Sequence, residues 1–166
     1  CLGCVSASAQ GIDSAIQAGD SVCLVPGGIA EMFEPAPGVQ SLCLAKRKGF
    51  VKLALRHGIP LVPVYVFGNT DVLVLDSMAR SSWLQLISRK LGIALLWFWG
   101  RWNLPIPFRV PLRYAVGKAI VVPQLPQPSA VDVEQWHRVF VKAVEALYHE
   151  YKHAYYGANP PVLKII

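Results

Sequence analysis

The chain has 166 residues, of which 54% are hydrophobic and only 16% charged, and its 16 basic and 10 acidic side chains leave a net charge of +6. That balance excludes intrinsic disorder, which needs few apolar and many charged residues. Thirteen Gly, 13 Pro and 4 Cys without a period exclude collagen-like and disulfide-scaffold classes. The mean hydropathy of +0.39 is high for a domain surrounded by water, and the length suits one domain with a real core, or part of one.

In chain order, Cys1 and Cys4 form a CxxC pair, but Cys23 and Cys43 make no second close pair. The spacing therefore gives no structural zinc site and argues against an oxidising compartment. The sequence opens without Met or a signal peptide, which suggests a piece of something longer. Asp13 opens a short helical pattern with Ile12, Ala15 and Ile16 apolar, ending at Gly19. Residues 21–25 then read as a buried strand, stopped by Pro26, Gly27 and Gly28. A loop with Pro35, Pro37 and Gly38 leads to a second strand at 41–45. Residues 48–57 have helical apolar spacing and stop at Gly58. Residues 59–67 form a third strand, apolar throughout, as in strands covered on both faces. Strand, helix, strand predicts a βαβ crossover in a partly parallel sheet.

Residues 77–131 carry seven basic side chains (Arg80, Arg89, Lys90, Arg101, Arg109, Arg113 and Lys118) and no acid. Such a stretch suits a surface that meets something anionic, such as phospholipid headgroups or a phosphorylated ligand. The basic residues alternate with Trp, Leu and Ile and form no nucleic-acid-binding module, which argues against nucleic acid as a partner. Residues 81–90 read as helical and run into the longest apolar run, 91–100, which is too short to span a bilayer. With Arg101, Trp102, Phe108 and Arg109 following, it suits either an interfacial element dipping into one leaflet or a buried core helix. Residues 103–113 are Pro-rich and looped, and 114–122 read as two short strand pieces around Gly117. Pro123, Pro126 and Pro128 stiffen a linker, after which Ser129 caps a long amphipathic helix to about His153. Its predicted buried stripe is Trp136, Phe140, Ala143, Leu147 and Tyr151.

Three features can carry chemistry. Pro26, Gly27 and Gly28, followed by Ile29, Ala30 and Glu31, lie at the end of a predicted strand, where α/β sheets bind ligands. The two glycines would let backbone N–H groups approach a ligand; a tight turn is the plain alternative. Lys46, Arg47 and Lys48, before Gly49 and Phe50, open a helix, and cations there are unfavourable unless an anion offsets them. The choice is between a phosphate site and a solvated basic turn. Phe67, Gly68 and Asn69 begin a polar loop at the end of the 59–67 strand. All three features sit at strand ends or helix starts, so one shared face is expected.

These residues carry a resemblance. Val25-Pro26-Gly27-Gly28-Ile29-Ala30-Glu31, Arg47-Lys48-Gly49-Phe50, His57-Gly58-Ile59-Pro60 and Phe67-Gly68-Asn69 resemble the type-2 diacylglycerol acyltransferase family, which includes monoacylglycerol and wax-ester acyltransferases. Val116-Gly117-Lys118 and Trp136-His137-Arg138 agree, so the likeness runs over nearly the whole chain.

The resemblance implies an α/β fold, a glycerolipid-acyltransferase-like mixed, partly parallel sheet flanked by helices, present here as a partial domain. Residues 1–76 would be its core, 77–128 a membrane-facing stretch and 129–166 the C-terminal helix and tail. It implies transfer of a fatty acyl group from acyl-CoA to diacylglycerol on the cytosolic face of the endoplasmic reticulum membrane or at a lipid droplet. Acyl-CoA would be a co-substrate, with no cofactor and no metal, and a homo-oligomer is allowed. Substrate-binding residues would be Pro26, Gly27, Gly28, Glu31, Arg47, Lys48, Gly49, Phe50, Phe67, Gly68 and Asn69. The family's general base is a His in a His-Pro-His-Gly motif, of which this sequence has no copy; His57, His137, His149 and His153 do not match it. No catalytic residue is therefore assigned, and this chain alone is expected to be inactive. Related glycerol-phosphate acyltransferases carry Pro-Glu-Gly-Thr-Arg where this sequence has Ile29 and Ala30, which fits an uncharged acceptor. Monoacylglycerol or a fatty alcohol are the alternative acceptors, and a non-catalytic lipid-surface protein is the alternative of another class.

Overall fold

Ser8 opens the first helix by accepting the Gly11 amide at 3.2 Å, so α1 (Ala9–Gln17) begins before Asp13, earlier than the apolar pattern suggests. A computed structural model describes residues 3–4, 6–27, 38–75 and 98–166. Within them α1 is followed by β1 (Val39–Leu42), α2 (Gly49–His57), β2 (Val64–Phe67), β3 (Val74–Leu75), β4 (Phe98–Trp99), β5 (Arg113–Val116), α3 (Ala130–Tyr156) and β6 (Val162–Ile165). The predicted helix at 81–90 and the first seven residues of the apolar run 91–100 lie outside the described residues, while Phe98 and Trp99 of that run form β4 and not a helix.

The fold is mixed α/β, with small parallel and antiparallel sheets. β1 pairs in parallel with β6, in the register Val39↔Val162 to Leu42↔Ile165. β2 pairs antiparallel with β5, and a further bridge joins Leu61 to Ile120 beyond Gly117, as the two-piece pattern of 114–122 predicts. β3 and β4 form a short antiparallel pair.

Two expectations are corrected here. Residues 21–25 join no ladder among the described residues, and Val25 is 76% exposed; an apolar run makes a strand only where a neighbouring strand meets it. β1, α2 and β2 do not close a βαβ unit, because β1 takes its parallel partner from the far end of the chain and β2 pairs with β5. α2 still ends where glycine dictates. Gly58 adopts φ +67°, and a Cβ there would lie 2.8 Å from Gln124 Cβ.

α3 organises the core. Ser129 and Asp132 close a capping box at its start, with the Asp132 amide donating to Ser129 Oγ at 3.2 Å and the Ser129 amide to Asp132 Oδ2 at 2.9 Å. Its buried line is Val133, His137, Phe140, Val144, Leu147 and Tyr148. This shares Phe140 and Leu147 with the predicted stripe but is turned from it, leaving Trp136 half-buried and Tyr151 exposed. One cluster joins Phe140, Val144, Leu147 and Tyr148 to Leu44, Tyr65, Phe67 and Ala115. A second joins Val133 to Val51, Ala54 and Leu55 of α2 and to Val122, just before the proline linker. Phe50 packs against both, its ring 5.0 Å from that of Phe140.

Candidate functional site

The turn between β1 and α2 carries the densest positive charge of the described core. Lys46 and Arg47 are exposed, and Lys48 is the N-cap of α2 without offering a capping acceptor. The cost of cations at this helix start is partly offset within the molecule, because Lys48 Nζ donates to Glu134 Oε2 from the first turns of α3. That hydrogen bond is the main cause holding the Glu134 carboxyl below its ordinary value, and Arg138, at 3.7 Å from Oε1, adds to it. Neither Lys46 nor Arg47 has a carboxylate partner among the described residues, so both are open to an anion from outside. Gly49 is exposed beside it, and Phe50 anchors the turn to the core.

Phe67, Gly68 and Asn69 sit elsewhere. Phe67 is 2% exposed and lies among Tyr65, Tyr148, Tyr155 and Tyr156, with ring centroids 4.6–5.9 Å away. Gly68 has φ +83°, and a Cβ there would fall 2.1 Å from Tyr155 Oη and 2.8 Å from the Pro111 carbonyl oxygen. The Tyr155 hydroxyl donates to that carbonyl at 2.6 Å, so the end of β2, the segment before β5 and the last turn of α3 meet at Gly68. Burial, reinforced by Asp71, pushes the Tyr156 phenol up to about 12 and also raises Tyr155. Beside them a cavity of about 220 Å³ opens between β5 and α3, lined in part by Phe67, Arg113, Tyr151 and Tyr155.

The expected single shared face is not what forms. Lys48 meets α3 at Glu134 and Gly68 meets it at Tyr155, 21 residues apart, which is about 30 Å along a helix axis. The basic turn and the polar loop therefore lie at opposite ends of α3. Of the glycine loop, Pro26 is half-buried and Gly27 buried, while Gly28 and Glu31 lie outside the described residues.

Each histidine has a contact that occupies it. His137, 3% exposed, has Nε2 at 3.0 Å from the Leu44 carbonyl oxygen, which makes it the donor there. His57 Nε2 lies 2.8 Å from Asp13 Oδ1, with Arg56 3.6 Å from Oδ2, and the group clasps α1 to α2. His149 Nδ1 meets Lys152 Nζ at 3.2 Å, and His153 Nδ1 meets the Gly157 carbonyl at 3.0 Å. The Asp13–His57 and Lys48–Glu134 pairs escape a sequence reading because 44 and 86 residues separate the partners. Among the described residues no group of three or more His, Cys, Asp and Glu could hold a metal ion, and no helix is long and apolar enough to cross a membrane.

Residues 1–164 match the family described as diacylglycerol acyltransferase. Over 165 residues the chain is 41% identical to human 2-acylglycerol O-acyltransferase 3, covering 91% of this chain and 48% of that protein. It is 38% identical over 145 residues to diacylglycerol O-acyltransferase 2 of Danio rerio, covering 81% and 40%. It is 34% identical over 158 residues to the human protein of that name, covering 89% and 40%. The chain thus spans about half the length, or less, of these curated relatives. No solved structure matches it.

Proposed function

The chain belongs to the diacylglycerol acyltransferase family, and we propose that the whole protein is an acyl-CoA:diacylglycerol O-acyltransferase that makes triacylglycerol. The family match over residues 1–164 carries this reading. The reaction needs a general base to take the acceptor's hydroxyl proton as the oxygen attacks the thioester carbonyl. It needs donors for the tetrahedral oxyanion, and cations for the CoA phosphates. In this reading the amides of Gly27 and Gly28 serve the oxyanion, and Arg47, with Lys48 behind it, serves the phosphates. In this reading the base is the histidine of the family's His-Pro-His-Gly motif, as the resemblance implies; this chain has no copy of that motif. Acyl-CoA is the co-substrate, no cofactor takes part, and the work is done at the cytosolic face of the endoplasmic reticulum membrane or a lipid droplet.

A monoacylglycerol acceptor is the second reading, favoured by the 41% identity to 2-acylglycerol O-acyltransferase 3. A labelled oleoyl-CoA assay on membranes bearing the whole protein separates the two. Diacylglycerol, monoacylglycerol and a long-chain alcohol are offered side by side, with the 166-residue chain alone as control. Triacylglycerol from diacylglycerol supports the first reading, and product from monoacylglycerol alone replaces it with the second. Absence of every product leaves a lipid-surface protein without acyl transfer. Arg47→Ala is expected to raise KM for acyl-CoA about tenfold with kcat nearly unchanged, because a phosphate contact made equally in ground and transition states is lost. An unchanged KM would remove Arg47 from the phosphate site.

A further inference from the structure

The loop after β4 exposes apolar side chains that its own backbone holds in place. Trp102 is 72% exposed, Leu104 49% and Ile106 40%. Trp102 and Asn103 have φ +58° and +57°, a left-handed pair unusual for residues other than glycine. The turn is closed from within. The Gly100 amide donates to the Leu104 carbonyl at 2.8 Å, the Arg101 amide to Ile106 at 2.8 Å and the Leu104 amide to Arg101 at 3.1 Å. A Cβ on residue 100 would lie 1.9 Å from the Ile106 carbonyl oxygen, so only glycine permits this closure. Pro105 and Pro107 have no amide hydrogen to satisfy. Three amides of loop 100–106 are thus spent internally and Pro105 has none, which lowers the cost of moving this backbone out of water.

The surrounding charge has one sign. Arg101 stacks over the Trp102 ring, with Cζ 4.3 Å from its centroid, and Arg109 is exposed three residues beyond the loop. Neither has a carboxylate partner among the described residues, and residues 77–131 contain no acid. An aromatic and two aliphatic side chains held outward beside arginines match the boundary between anionic headgroups and acyl chains.

We propose that loop 100–106 is a preformed lipid wedge, inserting Trp102, Leu104 and Ile106 among the acyl chains of an anionic membrane surface while Arg101 and Arg109 engage lipid phosphates. The proposal rests on the reading of the protein as an enzyme of membrane-dissolved lipids, and it names the element that seats the enzyme on its substrate phase. Rigidity matters here, because a loop already in its inserted shape gives up little conformational freedom on binding.

The test reconstitutes the whole protein into phosphatidylcholine–phosphatidylserine vesicles with bromine on the acyl chains. The emission difference between the protein and Trp102→Phe reads Trp102 apart from the protein's other tryptophans. Expected is a Trp102 signal quenched by the brominated chains and screened from aqueous iodide, with weaker quenching when phosphatidylserine is replaced by phosphatidylcholine. Leu104→Asp with Ile106→Asp should abolish the chain quenching at an unchanged melting temperature, since both side chains are already half in water. Quenching by iodide and not by bromine would overturn the proposal, as would screening from both, which would mean that another part of the protein covers the loop. Acyl transfer is measured in the same vesicles. Transfer without Trp102 quenching removes the wedge and leaves the enzyme; quenching without transfer removes the enzymatic reading and leaves the wedge.

Discussion

The two faces of the β2–β5 ribbon both carry apolar side chains and lie in opposite environments. Tyr65, Phe67 and Ala115 point at α3 and are 2–8% exposed. Val64, Tyr114 and Val116 point away and are 45–66% exposed. Alternation along a strand assigns the faces, but it does not say which one is covered. Residues 59–67 read as a strand buried on both sides because apolar residues occupy both phases, and among the described residues only one phase finds a partner. The same contrast separates α3, with its continuous buried line, from loop 100–106, where apolar groups are held outward. Hydrophobicity is thus spent in this chain both on a core and on a surface.

The sharpest test of that contrast is substitution on each face of one strand. Phe67→Ala should cost about 3–5 kcal/mol, because it empties a site closed by four tyrosine rings. Val64→Ala, three residues earlier on the exposed face, should cost under about 0.5 kcal/mol. Urea unfolding of the two variants gives the comparison directly, and equal losses would mean the outer face is covered too. Next in size is His137→Leu, which keeps the volume but leaves the Leu44 carbonyl without its donor. About 1–3 kcal/mol is expected, read as the shift of the urea midpoint at neutral pH.

How much of this was legible follows from where the information lies. α2 and α3 were readable because their limits are local: Gly58 adopts the left-handed cap, and Ser129 with Asp132 forms a capping box. β5 and the bridge at Ile120 followed from the Gly117 break. From sequence β6 reads only as a tail, since four residues after two prolines become a strand only by pairing with β1, more than 120 positions earlier. α1 started early because the Ser8 cap is polar and lies outside the apolar pattern. At the site, residue types and the family likeness were legible. Placement was not, because the distance between Lys48 and Gly68 is set by the length of α3 and by which of its turns each loop meets. The turn of the α3 stripe toward Val133 and His137 likewise depends on what α2 and β2 present to it.

A smaller effect tests the start of α3. Hydrogen bonds from Ser129, side chain first, hold Asp132 below its ordinary 3.8, and the Lys48 hydrogen bond does the same for Glu134 from 4.5. A carboxyl with a depressed folded-state value stabilises the fold above its unfolded value and loses that contribution as pH falls through the folded one. Stability should therefore decline below about pH 4. Ser129→Ala should cost about 1 kcal/mol at neutral pH and flatten that acid limb, read as the urea midpoint against pH. A limb of unchanged steepness in the variant would assign the acid sensitivity to Glu134 and the other carboxylates.

The smallest expected change is the one that most sharply separates surface from core. Trp102 is the largest side chain of its loop, yet 72% of it is exposed, and its recorded ring contact is the Arg101 guanidinium at 4.3 Å. Removing it deletes one exposed cation–π contact, worth about 0.5 kcal/mol, and leaves the left-handed strain unchanged, because alanine carries the same Cβ. Trp102→Ala should therefore shift the urea midpoint by an amount equivalent to no more than about 0.5 kcal/mol. A loss comparable to that of Phe67→Ala would place Trp102 in a core and end the distinction between the two regions. A near-zero loss would leave a large aromatic side chain whose presence folding does not require, which is the condition for assigning it to an external surface.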